Sequence, residues 1–415
     1  MKIKIYRGTK EIGGTCVELM AANGKVLWID LGAPLSLENP DVSYQTNKVD
    51  ALLISHSHQD HYGLMESVGS EVPIYIGQVS KELIEATRIF LGKPTPNCNF
   101  KEIGAWKEFE VADTFNVFPY LVDHSSPEAF AFLIECDGMR VFYSGDFRST
   151  GRKRICFEKM IKNPPKNIDL LLIEGTMINR DKQDYATELI LEEELVKRIK
   201  EQENATFVIS SAQNIDRFCS VFNACRLNNK TLIIDIYNAW VLDVVRKKSP
   251  GLPTMDSKIV KVYAHPNQMQ KISDLGYTEF IDRININAIG NGIFKNPSDF
   301  VYFLRCPSTK LIDALRPTGR IKMVYSQWKG YLEPEHKTYC TDTIKEWINQ
   351  KKVDFEVIHT GGHATIEDLI ILSKAINPKK TIPIHTDNPA KMRTELEAAG
   401  VCNVELGVDG ESFQL

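Results

Sequence analysis

The sequence predicts an α/β (α+β) protein of two domains, and three observations carry that reading. Its 415 residues exceed what one ordinary core holds. The first half reads as strand after strand separated by turns. The segment 185–350 instead alternates helical and strand periods, the pattern of a parallel sheet covered by helices. The tail 351–415 then returns to strands and short motifs. The expected organisation is a first domain over 1–184, an insertion over 185–350, and a completing part of the first domain over 351–415.

In order, Lys2–Tyr6, Thr15–Met20 and Val26–Asp30 are short and β-rich, with the turn Ala22-Asn23-Gly24 between the last two. Pro73–Ile76 predicts a strand and Ser80–Leu91 a helix capped by Ser80. Strands follow over Phe115–Leu121, Ala129–Glu135, Met139–Ser144 and Leu170–Ile173. From there the pattern alternates. Helices are expected over Thr187–Gln202, Asn214–Arg226 and Ala239–Lys247, and strands over Thr206–Ser210, Thr231–Ile236 and Ile321–Ser326. The tail adds a strand at Phe355–Ile358, a helix at Ile366–Ile376 opened by Glu367 and Asp368, where acids suit the dipole, and a strand at Thr381–Ile384. No internal repeat or low-complexity tract interrupts this.

Composition narrows the class. Hydrophobic content of 43% with 25% charged residues is that of a soluble globular chain, and no apolar run is long enough to span a bilayer. The N-terminus alternates like a strand and is not a signal peptide, so a cytoplasmic location is expected. Nine scattered cysteines with no Cys-x-x-Cys pair read as free thiols. A net charge of −4 argues against a generally basic nucleic-acid coat, though bound metal ions can themselves attract a phosphate.

The chemistry concentrates at His56-Ser57-His58-Gln59-Asp60-His61, directly after the apolar run Ala51–Ile54. Three histidines and an aspartate in six residues are ligands suited to zinc-like ions. His56 and His58, two apart on extended chain, point the same way. Three more candidates sit just after apolar runs: His124 after Asp123, Asp146 after Gly145, and His385. A carboxylate such as Asp146, following a glycine, can approach closely and bridge two ions. Seven ligands of this kind make a two-metal site with room for a water, and two ions about 3.5–4 Å apart suit displacement at phosphorus. Asp30, at a strand end, reads equally as a residue orienting a ligand or as a turn aspartate.

The motif His56-Ser57-His58-Gln59-Asp60-His61 resembles the His-x-His-x-Asp-His signature of the metallo-β-lactamase superfamily. Within it the chain resembles the β-CASP group and ribonuclease J, on Glu11–Cys16, Asp123–Pro127, Ser144–Arg148, Glu174-Gly175-Thr176, Gly361–Ala364 and Ile382–His385. The resemblance covers the whole chain and implies an αββα sandwich carrying the β-CASP domain as its insertion. It implies two zinc ions, with manganese as the alternative. His56, His58 and His124 would hold one ion, Asp60, His61 and His385 the other, and Asp146 would bridge them. Asp60, His363 and Glu174 are the expected catalytic residues. His363 would contact phosphate and protonate the leaving oxygen, with Glu174 holding its tautomer.

The implied activity is phosphodiester hydrolysis by a metal-dependent ribonuclease, 5′-to-3′ exonucleolytic with an endonuclease activity beside it. Single-stranded RNA is expected before DNA, and no membrane partner. The alternatives are a DNA nuclease, a small-molecule phosphodiesterase, and an inactive scaffold subunit of a processing complex. Three departures stand against the family pattern. Its further C-terminal domain, which supports assembly, is not expected after Leu415, which leaves oligomer formation open. Its Ser-Gly-His reads Gly361-Gly362-His363 here, so that Thr360 or Ser326 would have to supply the missing hydroxyl. The stretch 250–320 matches no known pattern. Elsewhere, Arg148, Arg152, Lys153 and Arg154 form a basic run suited to nucleic-acid backbone or to a solvated turn, and Trp328 and Tyr331 suit base stacking or core packing. His359 suits either the surroundings of the site or the core, whereas His265 and His336 read as structural.

Overall fold

The computed structural model describes residues 1–35, 49–180, 185–336 and 338–415. Strands in the first half are β1 (Lys2–Arg7), β2 (Cys16–Met20), β3 (Val26–Ile29), β4 (Ala51–Leu53), β5 (Pro73–Gly77), β6 (Asn99–Ile103), β7 (Phe109–Val111), β8 (Phe115–Val122), β9 (Ala129–Cys136), β10 (Met139–Tyr143) and β11 (Leu170–Glu174). Then come β12 (Thr206–Ile209), β13 (Thr231–Asp235), β14 (Val260–Tyr263), β15 (Phe300–Leu304), β16 (Ile321–Tyr325) and β17 (Val353–Val357), and finally β18 (Lys380–Ile384) and β19 (Ser412–Gln414). The helices are α1 (Gln59–Tyr62), α2 (Gln78–Leu91), α3 (Ile155–Lys162), α4 (Glu188–Lys200), α5 (Ile215–Leu227), α6 (Ile236–Arg246), α7 (Pro266–Asp274), α8 (Thr278–Asn287), α9 (Thr309–Leu315), α10 (Thr341–Asn349), α11 (Ile366–Ile376) and α12 (Pro389–Ala398).

The chain folds as two units. The first comprises residues 1–85, 94–180 and 362–415 as described. It holds two sheets, in strand order β19-β1-β2-β3-β4-β5-β6 and β18-β11-β10-β9-β8-β7. Ile3, Ile5, Leu27, Ile29 and Leu53 of one sheet share a core with Phe130, Phe132, Ile134, Tyr143 and Leu172 of the other. The outer face of the first sheet buries Trp28, Leu52 and Ile74 with Tyr62 of α1 and Ile84 of α2. The outer face of the second buries Ala131, Phe142 and Leu171 beneath Phe157 of α3, Leu369 and Leu372 of α11, and Met392 of α12. These layers make the expected αββα sandwich. The alternation of side chains along each strand produces it, because each sheet has one face for the shared core and one for its helices.

The second unit comprises Ala86–Lys93 and the described residues from Tyr185 to Gly361. Its single sheet, in order β14-β13-β15-β12-β16-β17, is parallel throughout. Phe207 of β12 and Tyr302 of β15 stack at 4.4 Å on the face covered by Leu311 and Ile312 of α9 and Trp347 of α10. Phe303, one residue on, faces the other way and meets Phe218 of α5 at 5.8 Å.

Several expectations shift by a physical cause. The boundary expected at 184–185 falls beside residues 181–184, outside the described residues. The boundary expected at 350 lies instead after Gly361, because β17 pairs in parallel with β16 over Ile321↔Val353 to Tyr325↔Val357. Ser80 does not cap its helix. The helix begins two residues earlier, at Gln78, and the carboxylate of Glu128 accepts from the Val79 amide at 2.5 Å and the Ser80 amide at 3.3 Å. Thr187, Asn214 and Asp235 cap α4, α5 and α6 with their own side chains, which moves those helix starts by one to three residues. Thr365 and Asp368 form a reciprocal capping box on α11. Among the described residues no cysteine is in a disulfide, and no helix is long and apolar enough to cross a membrane.

Candidate metal centre

The site is built at strand ends of the first unit. Strand β4 is buried on both faces and so carries a continuous apolar run. It stops at Leu53, the chain bends at Ser57, and His58 is extended at the N-cap of α1, which begins at Gln59. The turn is held against the end of β3: the Leu31 amide donates to His61 O at 2.8 Å and the Ala33 amide to Gln59 O at 2.9 Å. A side chain on Gly32 would run into the carbonyl of Asp60, so this crossing requires glycine. Gly145, at φ +54° with no room for a Cβ beside Phe130 O, lets Asp146 in after β10. His385 follows β18 in the left-handed region at φ +49°, a costly conformation for a non-glycine residue.

All seven expected ligands come together. His58 Nδ1 and His124 Nε2 are 3.1 Å apart, and the ring of His56 lies 4.7 Å from that of His58 and 4.8 Å from that of His124. Asp60 Oδ2 is 3.3 Å from His385 Nε2, whose ring lies 4.9 Å from that of His61. Asp146 stands between the two groups, its Oδ2 3.2 Å from His61 Nε2 and 3.8 Å from His56 Nε2, its Oδ1 3.2 Å from His385 Nδ1. His58 and Asp60 are half-buried, and the other five are buried.

Four of the five histidines are held by Nδ1, which turns Nε2 inward. Asp30 Oδ2 lies 2.7 Å from His61 Nδ1 and also accepts from Tyr143 Oη at 2.5 Å, while Asp30 Oδ1 accepts from the Ser55 amide at 2.7 Å. Ser55 Oγ donates its one proton to Asp30 at 2.8 Å, so at 3.0 Å it must accept from His56 Nδ1. Gly362 O lies 2.5 Å from His124 Nδ1, and Thr176 Oγ1 lies 3.1 Å from His385 Nδ1. Asp30 therefore holds His61, one of the expected ligands. Ser55, Tyr143, Thr176 and the Gly362 carbonyl escaped the sequence reading. Thr176 and Gly362 lay in motifs that carry the family resemblance, but without these roles, and a lone Tyr or Ser in a core strand carries no signal.

The charges divide by environment. Burial, reinforced by the neighbouring imidazoles, depresses the pKa of His56 and His124 well below the ordinary histidine value. Burial likewise brings His58 down to about 4. Neutral imidazoles are the form that binds a metal. For His385, burial is outweighed by Asp146 and Asp60, which push it up to about 9. For Asp60, burial is outweighed by His61, His385 and His58, which hold it below the usual carboxylate range.

The donor set fits divalent metal. Among the described residues, His56 Nε2, His61 Nε2 and both oxygens of Asp146 are buried without a hydrogen bond, which a native interior avoids unless something else satisfies them. The combinations His56/His58/His124, His56/His61/Asp146 and Asp60/His61/His385 each bring their ligand atoms within 4.8 Å of one another. Asp146, Glu174, His363 and His385 also do so, but Glu174 is already engaged. Its Oε1 accepts from the amides of Phe147 at 2.9 Å and Ala364 at 3.4 Å, and its Oε2 from the Thr176 amide at 3.3 Å. Oε2 also lies 3.1 Å from His363 Nδ1. His363, 17% exposed, is thus paired with the expected carboxylate beside the cluster.

Other expectations change. Arg148 is fully buried against Asp123 at 3.2 Å and is no part of a basic surface. In the second unit Ser326 is buried, accepting from Arg217 and donating to Ile358 O at 2.5 Å, so its hydroxyl is not open to a phosphate. Trp328 packs on Tyr331 at 5.3 Å and on His336 at 4.8 Å, and His265 precedes α7 at its N-cap. His359 is half-buried.

A Beta-lactamase superfamily domain model matches residues 28–209, and with the αββα layers and the histidine cluster it defines a protein of metallo-β-lactamase fold. Within that class the chain resembles ribonuclease J. Ribonuclease J of Mycoplasma pneumoniae is 24% identical over 441 residues, covering 100% of this chain and 72% of that protein. Endoribonuclease YSH1 of Saccharomyces cerevisiae is 23% identical over 203 residues, covering 41% of this chain and 25% of that protein. A crystal structure of a protein of unknown function from Enterococcus faecalis V583 matches with a TM-score of 0.76 at 18% identity, covering 100% of this chain and 99% of that one, and supports the fold alone.

Proposed function

We propose that this protein is a metal-dependent ribonuclease of β-CASP type that hydrolyses phosphodiester bonds in single-stranded RNA, proceeding 5′ to 3′. The observation that carries it is the convergence of His56, His58, Asp60, His61, His124, Asp146 and His385 beside a His363–Glu174 pair. The ribonuclease J likeness supports RNA as substrate, and the second unit then corresponds to the β-CASP insertion. His56, His58 and His124 would hold one zinc or manganese ion, Asp60, His61 and His385 a second, with Asp146 between them. When bound, such ions lower the pKa of a water and neutralise charge developing on phosphate oxygens.

The chain's own groups do the rest. Glu174, fixed by three backbone amides, accepts from Nδ1 of His363 and so directs Nε2 outward. In its doubly protonated form His363 can then donate from Nε2 to a non-bridging phosphate oxygen and pass that proton to the leaving oxygen, ending as the neutral Nδ1–H ring. Asp30, Ser55, Thr176 and the Gly362 carbonyl hold Nδ1 of His61, His56, His385 and His124.

The test is cleavage of end-labelled single-stranded RNA and DNA, carrying 5′-monophosphate or 5′-triphosphate ends, by protein of known metal content. Mononucleotide release from the 5′ end of RNA is the expected result. DNA as the only substrate, or no hydrolysis with zinc or manganese bound, would overturn the proposal.

A further inference from the structure

Three consecutive residues at the entry to α11 are gripped by the first unit. Gly362 O meets His124 Nδ1 at 2.5 Å, His363 Nδ1 meets Glu174 Oε2 at 3.1 Å, and the Ala364 amide meets Glu174 Oε1 at 3.4 Å. The first contact is of a different kind from the other two. A carbonyl only accepts, so His124 must carry its proton on Nδ1, and in the neutral ring the lone pair then sits on Nε2. That nitrogen faces His58 Nδ1 at 3.1 Å.

Residue 362 also has no space for a side chain. A Cβ there would lie 2.5 Å from Ser125 Oγ, 3.0 Å from Ser125 Cβ and 3.5 Å from His124 Cε1. At 2.5 Å one partner must move, and at 3.0 Å the Ser125 Cβ must give by a few tenths of an ångström. An added methyl group would therefore push the segment away from the strand end that carries His124, and with it the carbonyl that sets the ring.

We infer that Gly362 is a positioning residue for His124. Through its main-chain carbonyl, and through the absence of a Cβ against Ser125, it fixes the tautomer and direction in which His124 faces a metal shared with His56 and His58. One three-residue segment thus serves both sides of the chemistry, aiming His363 outward and His124 inward. This rests on the reading of His56, His58 and His124 as one metal position.

The test compares wild type, Gly362→Ala, and the double variant Ser125→Gly/Gly362→Ala, each stripped of metal. Zinc affinity is measured by competition with a chromophoric chelator, bound metal is counted, and thermal midpoints are recorded without metal. Gly362→Ala is expected to weaken zinc binding by about 10–100-fold with the metal-free midpoint near that of wild type. Removing the Ser125 side chain, which the new methyl meets, is expected to restore most of the affinity. Wild-type affinity in Gly362→Ala, or no recovery in a folded double variant, would overturn the inference while leaving the metal site standing. A wild type that binds no metal would overturn both. The ring nitrogen shifts of 15N-histidine-labelled wild type need no variant at all. Metal-free His124 is expected as the Nδ1–H tautomer, and an Nε2–H tautomer would overturn the inference.

Discussion

Glu174 Oε2 lies 3.1 Å from Nδ1 of His363, and the same carboxylate accepts from the amides of Phe147, Thr176 and Ala364. The acid is therefore fixed before the histidine meets it. A rigid carboxylate behind an imidazole is the arrangement that turns a mobile side chain into a directed proton donor.

That relationship separates two kinds of loss. His363→Ala is expected to lower kcat by about 10²–10⁴-fold, and Glu174→Gln by about 10–100-fold. Bound metal should remain at the wild-type level in the His363 variant, because its ring is paired to Glu174. Steady-state kinetics with metal counting on the same samples checks this, and loss of metal in His363→Ala would make that residue a ligand.

Asp30 should matter to metal without touching it. Its carboxylate holds His61, Tyr143 and Ser55 together. Asp30→Ala leaves buried donors unpaired, at a cost on the order of 1–3 kcal/mol each, and frees the His61 ring. The expected result is a lower denaturation midpoint together with metal affinity about 10–100-fold weaker. Unchanged metal affinity would show that His61 is oriented by packing alone.

The second unit carries its own buried charge pair. Arg217 Nε and Nη2 meet Glu188 at 2.8 and 3.1 Å, and Arg217 also donates to the Ser326 and Thr360 carbonyls at 2.9 and 3.3 Å. Both side chains are fully buried. Arg217→Met takes the guanidinium away from the buried Glu188 carboxylate, and is expected to cost about 3–5 kcal/mol. Replacing both, as Glu188→Gln/Arg217→Met, should cost less than the single change. Chemical denaturation of the three proteins tests the ordering, and an additive double variant would argue against coupling.

Metal removal should register in stability as well as activity. Buried nitrogens and oxygens at His56, His61 and Asp146 that make no hydrogen bond would be satisfied by an ion. Free ion at about 1,000 times its Kd adds about 4 kcal/mol, so chelation is expected to lower the thermal midpoint and added zinc or manganese to restore it. His58→Ala should abolish cleavage and blunt this shift while the circular dichroism stays native. A midpoint indifferent to chelator would argue that no ion is held.

The histidine–aspartate cluster was legible because its signal is local and chemical. Four ligand-type residues lie within six positions after an apolar run, and Asp146 and His385 sit in the same relation to their strands. Helix starts were less legible, because the cap can come from far away. Ser80 looked like a cap from sequence, yet Glu128, 48 residues on, does that work. The extent of the second unit was hidden for the same reason, since β17 is assigned to it by pairing with β16 and not by composition.

By itself, then, the sequence determined the cluster of metal-compatible side chains, the sheet-rich and alternating halves, and the residue types at each strand end, since these follow from side-chain identity and short-range period. Only the tertiary structure decided how His61, His385 and His124 are turned, through partners 31 to 238 residues distant, namely Asp30, Thr176 and the Gly362 carbonyl. It alone removed Arg148 and Ser326 from the surface. Hydrogen bonds and steric contacts between segments far apart in the chain set those outcomes, and periodicity along the chain does not encode them.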